Sequence, residues 1–269
     1  MPEICVKDFN LESTLLCGQM FRVSRRDDWY YISIRDRIFR VRQSSNYLEF
    51  QGIDQKFLAH YFALDDPYSG ILAQINKDQH IGMAIRRYHG LRIVRQDPWE
   101  CLISFLCSSA ANIPKIKLNL ELLSQFFGKR IEAEGTLRYA FPNPGDLNDY
   151  EQIVLAKTGF RAKYIKTAND LVSEAFLMSL KKLSYSEAKK SLKDIPGIGD
   201  KIADCILLFS LGFTEAFPID TWMKKILQKL YFKNQLVSNQ QLQEFGVEYF
   251  GRYAGYAQQF LYMLARDSR

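Results

Sequence analysis

A chain of 269 residues, 47% hydrophobic and 25% charged, is long enough to bury a sizeable core and to divide into two sub-domains, and this composition argues against wholesale disorder. Its net charge of +6 favours an anionic partner, nucleic acid first. Five cysteines without a CxxC pair and three scattered histidines argue against a disulfide framework, a zinc site or a metal cluster.

The longest apolar run, Ile206 to Phe213, is too short to span a bilayer, and "MPEICVKDFNLES" lacks the apolar core of a signal peptide. An intracellular protein is therefore expected. Residues 29–50 alternate: Ile32 and Ile34 with Ser33 and Arg35, then Phe39 and Val41 with Arg40 and Arg42, with a turn at Asp36-Arg37. Period-two patterning with one wet face predicts an antiparallel meander. Beyond residue 54 the period becomes helical. Asp97, Pro98 and Glu100 predict an N-cap, a first helical residue and a capping box ahead of Trp99, Leu102, Ile103 and Leu106. "FPNPGDL" (Phe141–Leu147) reads as a connector. Ser184/Glu187 and Ser238/Gln241 repeat the helix-start signal. The prediction is an α+β chain: a small antiparallel β-sheet N-terminal domain over 1–94, then a mostly helical domain over 95–269.

"SYSEAKKSLKDI", "PGIG" and "DKIADCILLFSLG" read as helix, tight turn, helix. Gly197 and Gly199 permit positive φ and close backbone approach, and successive amides ahead of a helix make a donor site for an anion such as a DNA phosphate. Lys201 lies in the first turn of the second helix, where the dipole disfavours a cation. That field, with partial burial, would favour the neutral amine, a nucleophile suited to Schiff-base chemistry. The other reading is an exposed lysine paired with Asp204 one turn on. Asp220, in "AFPIDTWMKKIL", reads as an N-cap whose amide contacts keep it ionised. A fixed anion beside a nucleophilic lysine could stabilise a cationic sugar, so cap and catalyst are compatible.

Together, "IPGIGDKIADC" and "FPIDTWM" resemble the helix-hairpin-helix glycosylases that end in a Gly/Pro-rich loop and aspartate (HhH-GPD). The chain is similar, along nearly its whole length, to the 8-oxoguanine DNA glycosylases with AP-lyase activity. "LCGQMFR" (Leu16–Arg22), "RQDPWECLISFLCSS" (Arg95–Ser109), "GFRAKY" (Gly159–Tyr164) and "YAGYAQQFLY" (Tyr253–Tyr262) follow that family's order. The resemblance implies a bifunctional base-excision enzyme acting, as a monomer and without cofactor or iron–sulfur cluster, on double-stranded DNA containing oxidised guanine. It makes Lys201 the nucleophile at C1′ of the flipped nucleotide, which forms a Schiff base and nicks the strand by β-elimination, with Asp220 as helper carboxylate. It assigns the flipped base to Gly18, whose carbonyl accepts from the N7–H that guanine lacks, to Gln258 on the Watson–Crick edge, and to Tyr262 and Cys205 on its two faces. The DNA contacts become Phe160 as wedge, Arg161 and Lys115 toward the opposite strand, Asn112, Trp222 and the two hairpin glycines.

The chain departs from the family pattern at four places. "SSAAN" (Ser108–Asn112) stands for "SSNNN", so Ala110 replaces a hydrogen-bonding asparagine. Lys115 replaces an arginine that reads the opposite cytosine, and a lysine cannot match a bidentate fork. Trp222 replaces a histidine, and Ala265 an aspartate. A weakened preference for cytosine opposite the lesion is expected. Three other functions remain open: a helix-hairpin-helix glycosylase for another damaged base, a non-catalytic DNA-binding module, which needs neither Lys201 nor Asp220, and a Schiff-base enzyme on a small metabolite.

Overall fold

A computed structural model of the chain describes residues 1–133 and 136–267. The expected meander is present as β3 (Trp29–Ile34), β4 (Arg37–Ser44) and β5 (Tyr47–Gln51), flanked by β1 (Glu3–Cys5) against β5 and β2 (Val23–Arg26) against β3. All four pairings are antiparallel. Tyr30 pairs with Val41 and Val41 with Phe50, so the inward residues align across the sheet. Register is fixed because a one-residue slip would turn that set outward. Val23, Ile32, Phe39, Leu48 and Phe50 close over Leu58, Tyr61 and Phe62, from the helix Gln55–Tyr61 and the residue after it. Asp54 starts that helix by accepting from the Phe57 amide at 2.8 Å.

The remainder is helical apart from a hairpin, β6 (Arg130–Ala133) with β7 (Thr136–Tyr139), which the sequence reading did not anticipate. A second, larger core unites the helices from Pro98–Cys107 onward with the preceding helices Tyr68–Ile75 and Gln79–Arg87, and with Cys17 and Phe21. Those two early helices pack with the C-terminal helix Ala254–Asp267. The "FPNPGDL" connector forms a turn in which the Asn143 amide donates to Asp146 at 2.8 Å. Capping boxes form at Ser184/Glu187 and at Ser238/Gln241, as expected.

The third expected box does not form. Asp97 accepts from the Glu100 amide at 2.9 Å, but the Glu100 carboxylate accepts instead from the Arg35 amide at 2.8 Å and from the Arg22 guanidinium at 3.4 Å. Burial pushes the Glu100 carboxyl up, against the pull of Arg22 and the Arg35 amide. A buried carboxylate goes where a cation compensates its desolvation, and here that contact ties the β3–β4 turn to the helix. Among the described residues, no helix is long and apolar enough to cross a membrane.

Candidate active site

The helix-turn-helix expected around Lys201 is formed by Tyr185–Lys193 and Asp200–Ile206, the latter continuing to Leu211 and stopped by Gly212 at φ +85. Gly197 takes φ +92 and lies against the Tyr164 ring, which brings the "GFRAKY" and "PGIG" segments together. Gly199 is the N-cap of the second helix and offers no side-chain acceptor. The first-turn amides therefore lack a side-chain partner.

Lys201 is not paired with Asp204. Its Nζ donates to Ser108 Oγ at 2.9 Å and lies 5.3 Å from the centroid of the Phe105 ring. Asp204 is 1% exposed. It accepts from Tyr185 Oη at 2.7 Å, Lys189 Nζ at 3.1 Å and Gln243 Nε2 at 2.6 Å. Burial pushes its carboxyl up to about 6, against Lys189 and Tyr185. Helical spacing brings residues 201 and 204 to neighbouring positions, but stronger partners on adjacent helices claim the carboxylate.

Asp220 caps Thr221–Tyr231, accepting from the Met223 amide at 2.7 Å. The cap does not dominate its ionisation. Burial raises the carboxyl above the ordinary range, and the Met223 amide and the Lys201 charge only oppose that rise. Lys201 also acts on the Cys205 thiol, which burial pushes up to about 12.

A cleft of about 1580 Å³ gathers these groups. Lys201, Asp220, Cys205, Gln258, Tyr262 and Gly18 all line it, as do Trp222, Asn112 and the two hairpin glycines. Gly18 takes φ +81, and a Cβ there would sit 3.2 Å from Tyr262 Oη. Its loop is held by the buried Gln19, whose amide donates to the Thr14 and Arg92 carbonyls at 2.8 Å each and accepts from the Val94 amide at 2.9 Å. Gln258 is 4% exposed. Its Nε2 donates to the Pro218 carbonyl at 3.2 Å, and its Oε1 accepts from Gln259 at 2.8 Å. Burial pushes the Tyr262 hydroxyl up to about 12. Lys225 Nζ lies 5.7 Å from the Trp222 ring centroid.

Lys115, Phe160 and Arg161 do not line the cleft. Phe160 is 57% exposed. Arg161 is buried, donating to the Ser109 carbonyl at 2.7 Å and the Thr158 carbonyl at 3.1 Å, and it lies 4.5 Å from the Phe160 centroid. Asn112 caps the helix Ile113–Phe127 through the Lys115 amide at 3.0 Å. Ala110, between them, takes φ +48, a conformation asparagine tolerates better than alanine. Ser108 and Gln19 are site residues that the sequence reading left without roles, although both stand inside the quoted motifs.

The chain is similar to known proteins over most of its length. Residues 3–102 match the family described as 8-oxoguanine DNA glycosylase, N-terminal domain. The N-glycosylase/DNA lyase OGG1 of Arabidopsis thaliana is 36% identical over 202 residues, covering 70% of this chain and 55% of that protein. The chain thus spans little more than half the length of its plant relative. The 8-oxoguanine glycosylase/lyase of Clostridium acetobutylicum, solved with double-stranded DNA containing cytosine opposite 8-oxoG, is 32% identical with a TM-score of 0.92, covering 100% of this chain and 98% of that one. MBOgg1, solved with a low-affinity DNA ligand, is 35% identical with a TM-score of 0.93, covering 99% of this chain and 95% of that one. With identity above 30% sustained over nearly the whole of both chains, this chain belongs to the 8-oxoguanine DNA glycosylase family.

Proposed function

We propose that the chain is a bifunctional base-excision repair enzyme that removes 8-oxoguanine from double-stranded DNA and nicks the strand. The observation that carries this reading is the convergence of Lys201 and Asp220 on one cleft with Gly18, Cys205, Gln258 and Tyr262. A pure DNA-binding module needs neither the amine nor the buried carboxyl. Lys201 attacks C1′ of the flipped nucleotide, the C1′–N9 bond breaks, and the base leaves with its electron pair. The resulting N,O-acetal opens by breaking the C1′–O4′ bond, the ring oxygen taking a proton as the Schiff base forms, and loss of a C2′ proton then expels the 3′ phosphate. Asp220 opposes the positive charge that develops on the sugar.

The base must leave the stack to reach the cleft. Tyr262 and Cys205 take its two faces, Gln258 its Watson–Crick edge, and the Gly18 carbonyl its N7–H, where guanine presents an unprotonated nitrogen and a hydrogen bond is lost. Phe160 fills the gap in the duplex. Arg161 faces the orphaned base after releasing the Ser109 carbonyl, Lys115 and Asn112 follow the opposite strand, and Gly197, Gly199 and Trp222 hold the backbone. Such an enzyme works inside the cell, with the DNA. Ala110 and Lys115 remove the fork that would select cytosine, so excision opposite A, G and T should lie within about tenfold of excision opposite C, since one good bidentate contact discriminates by ~1–3 kcal/mol.

Borohydride trapping tests the reading. A duplex with one 8-oxoguanine should give a covalent adduct that needs both the lesion and Lys201, absent with Lys201→Gln and with undamaged DNA. Tight binding without adduct but with base release would point to a water-activating glycosylase, and binding without either would leave a binding module.

A further inference from the structure

We propose that Ser108 is a positioning residue for Lys201, an acceptor that aims the amine into the cleft while leaving its lone pair free. The inference rests on the function proposed above. Ser108 Oγ makes two contacts: it accepts from Lys201 Nζ at 2.9 Å, and it stands 2.7 Å from the Phe105 carbonyl oxygen. A carbonyl cannot donate, so the hydroxyl proton must lie on the Phe105 side. The serine is then an acceptor only toward the amine. A hydroxyl that donated to the nitrogen would occupy the lone pair that has to reach C1′. This one binds an N–H instead and leaves the nitrogen lone pair unoccupied in the cleft that both residues line.

The anchor is rigid. Ser108 is the C-cap of Pro98–Cys107, a helix whose residues from Trp99 to Cys107 are all buried. The Phe105 ring beneath the amine stacks on Phe209 at 5.5 Å and meets Phe21 edge-on at 5.6 Å. A lysine stem has four rotatable bonds, and a nucleophile displaced by about 1 Å can lose on the order of a hundredfold in rate. A fixed acceptor on an aromatic wall confines that stem before DNA arrives.

Single-turnover base release from an 8-oxoguanine duplex tests this with Ser108→Ala and Ser108→Thr, alongside duplex affinity. Ser108→Ala should lower the rate about tenfold with affinity within about twofold, and Ser108→Thr, which keeps the oxygen, should recover to within about threefold of wild type. A rate for Ser108→Ala within twofold of wild type, a loss confined to affinity, or a threonine variant as slow as alanine would overturn the inference. Should Ser108→Ala unfold, Ser108→Cys, which keeps the volume with a poor acceptor, must show the same rate loss. Carbon-13 relaxation of the Lys201 ε-methylene in the DNA-free protein reads the contact without any activity. The wild-type group should be restricted and the Ser108→Ala group freed. A wild-type group already as mobile as surface lysines refutes the inference, whereas an inactive wild type with a restricted Lys201 refutes only the function proposed above.

Discussion

Gly197→Ala should destabilise the protein by about 2–5 kcal/mol, through two costs that can be measured separately. Gly197 takes φ +92, where an L side chain meets its own carbonyl at a cost of roughly 1–2 kcal/mol. The added Cβ would also lie 2.5 Å from Tyr164 Cγ and 2.7 Å from its Cβ and Cδ1, at the root of the ring and not at a flexible end. Relieving that overlap costs about 1–3 kcal/mol by the usual penalty for overpacking. Urea unfolding of wild type, Gly197→Ala, Tyr164→Ala and the double variant separates the two. Removing the ring eliminates two of the three close contacts, so Gly197→Ala should cost about 1–2 kcal/mol less in the Tyr164→Ala background. Gly199→Ala is the control: its φ is −94, and a Cβ there meets nothing within 4 Å, so the change should stay within about 1 kcal/mol. Additivity to within ~0.5 kcal/mol in the cycle, or equal losses at 197 and 199, would refute the packing of Tyr164 on the turn as the reason for the first glycine.

Asp220→Asn should leave the denaturation midpoint nearly unchanged, because asparagine caps a helix as well as aspartate does. Base release should fall by about a hundredfold or more with the charge removed, and a variant within threefold of wild type would exclude the carboxylate from the chemistry. Because burial raises the Asp220 carboxyl, the acid limb of the excision profile should lie above the ordinary carboxylate range and vanish in that variant. At Asp204, raised to about 6 from 3.8, the folded chain binds a proton across that window while the unfolded chain does not. Its contribution to stability therefore grows as pH falls from 6 to 4. The stability of wild type minus that of Asp204→Asn should rise by about 2.4 kcal/mol between pH 7 and pH 4, and a flat difference would show that the buried carboxyl titrates normally.

The parts of the fold that the sequence made legible are those with repeated local signals. The meander has three strands of alternating residues, and Ser184 and Ser238 each carry a side chain that satisfies a backbone amide within one turn. β1 and β2 were hidden because strands of three and four residues hold too few positions for a period. The β6–β7 hairpin follows a Gly-Lys pair and has four residues a side, so it offered no alternation to read. Glu100 and Asp204 show a different limit. Each sits at a spacing that permits a local contact, a capping box in one case and a pair with Lys201 in the other. Asp204 turns instead to Lys189 on the preceding helix, and Glu100 to the Arg35 amide and Arg22, because a buried carboxylate is stable where a cation and further hydrogen bonds together offset its desolvation.

The same preference accounts for how the reactive lysine is left available. Lys189 and Lys193 on the first hairpin helix hold Asp200 at 3.5 and 2.8 Å, and Lys189 holds Asp204 at 3.1 Å. Both acids nearest Lys201 in sequence are thus paired with lysines of the preceding helix. Had Asp204 remained unpaired, it would offer Lys201 an i, i+3 partner on its own helix, able to draw the amine off the Ser108 contact, whereas Asp200, the adjacent residue, does not face Lys201. Asp220, the carboxyl left to act on Lys201 inside the cleft, is fixed by its cap to the Met223 amide. That division predicts a specific failure. Lys189→Met, by stranding Asp204 as a buried uncompensated charge, should destabilise by about 3–5 kcal/mol. Lys193→Met, which removes one of two lysines from the exposed Asp200, should cost less than about 1 kcal/mol and leave Schiff-base trapping unchanged. Slower trapping in Lys193→Met would refute this division, by showing that Asp200 reaches the amine of its neighbour.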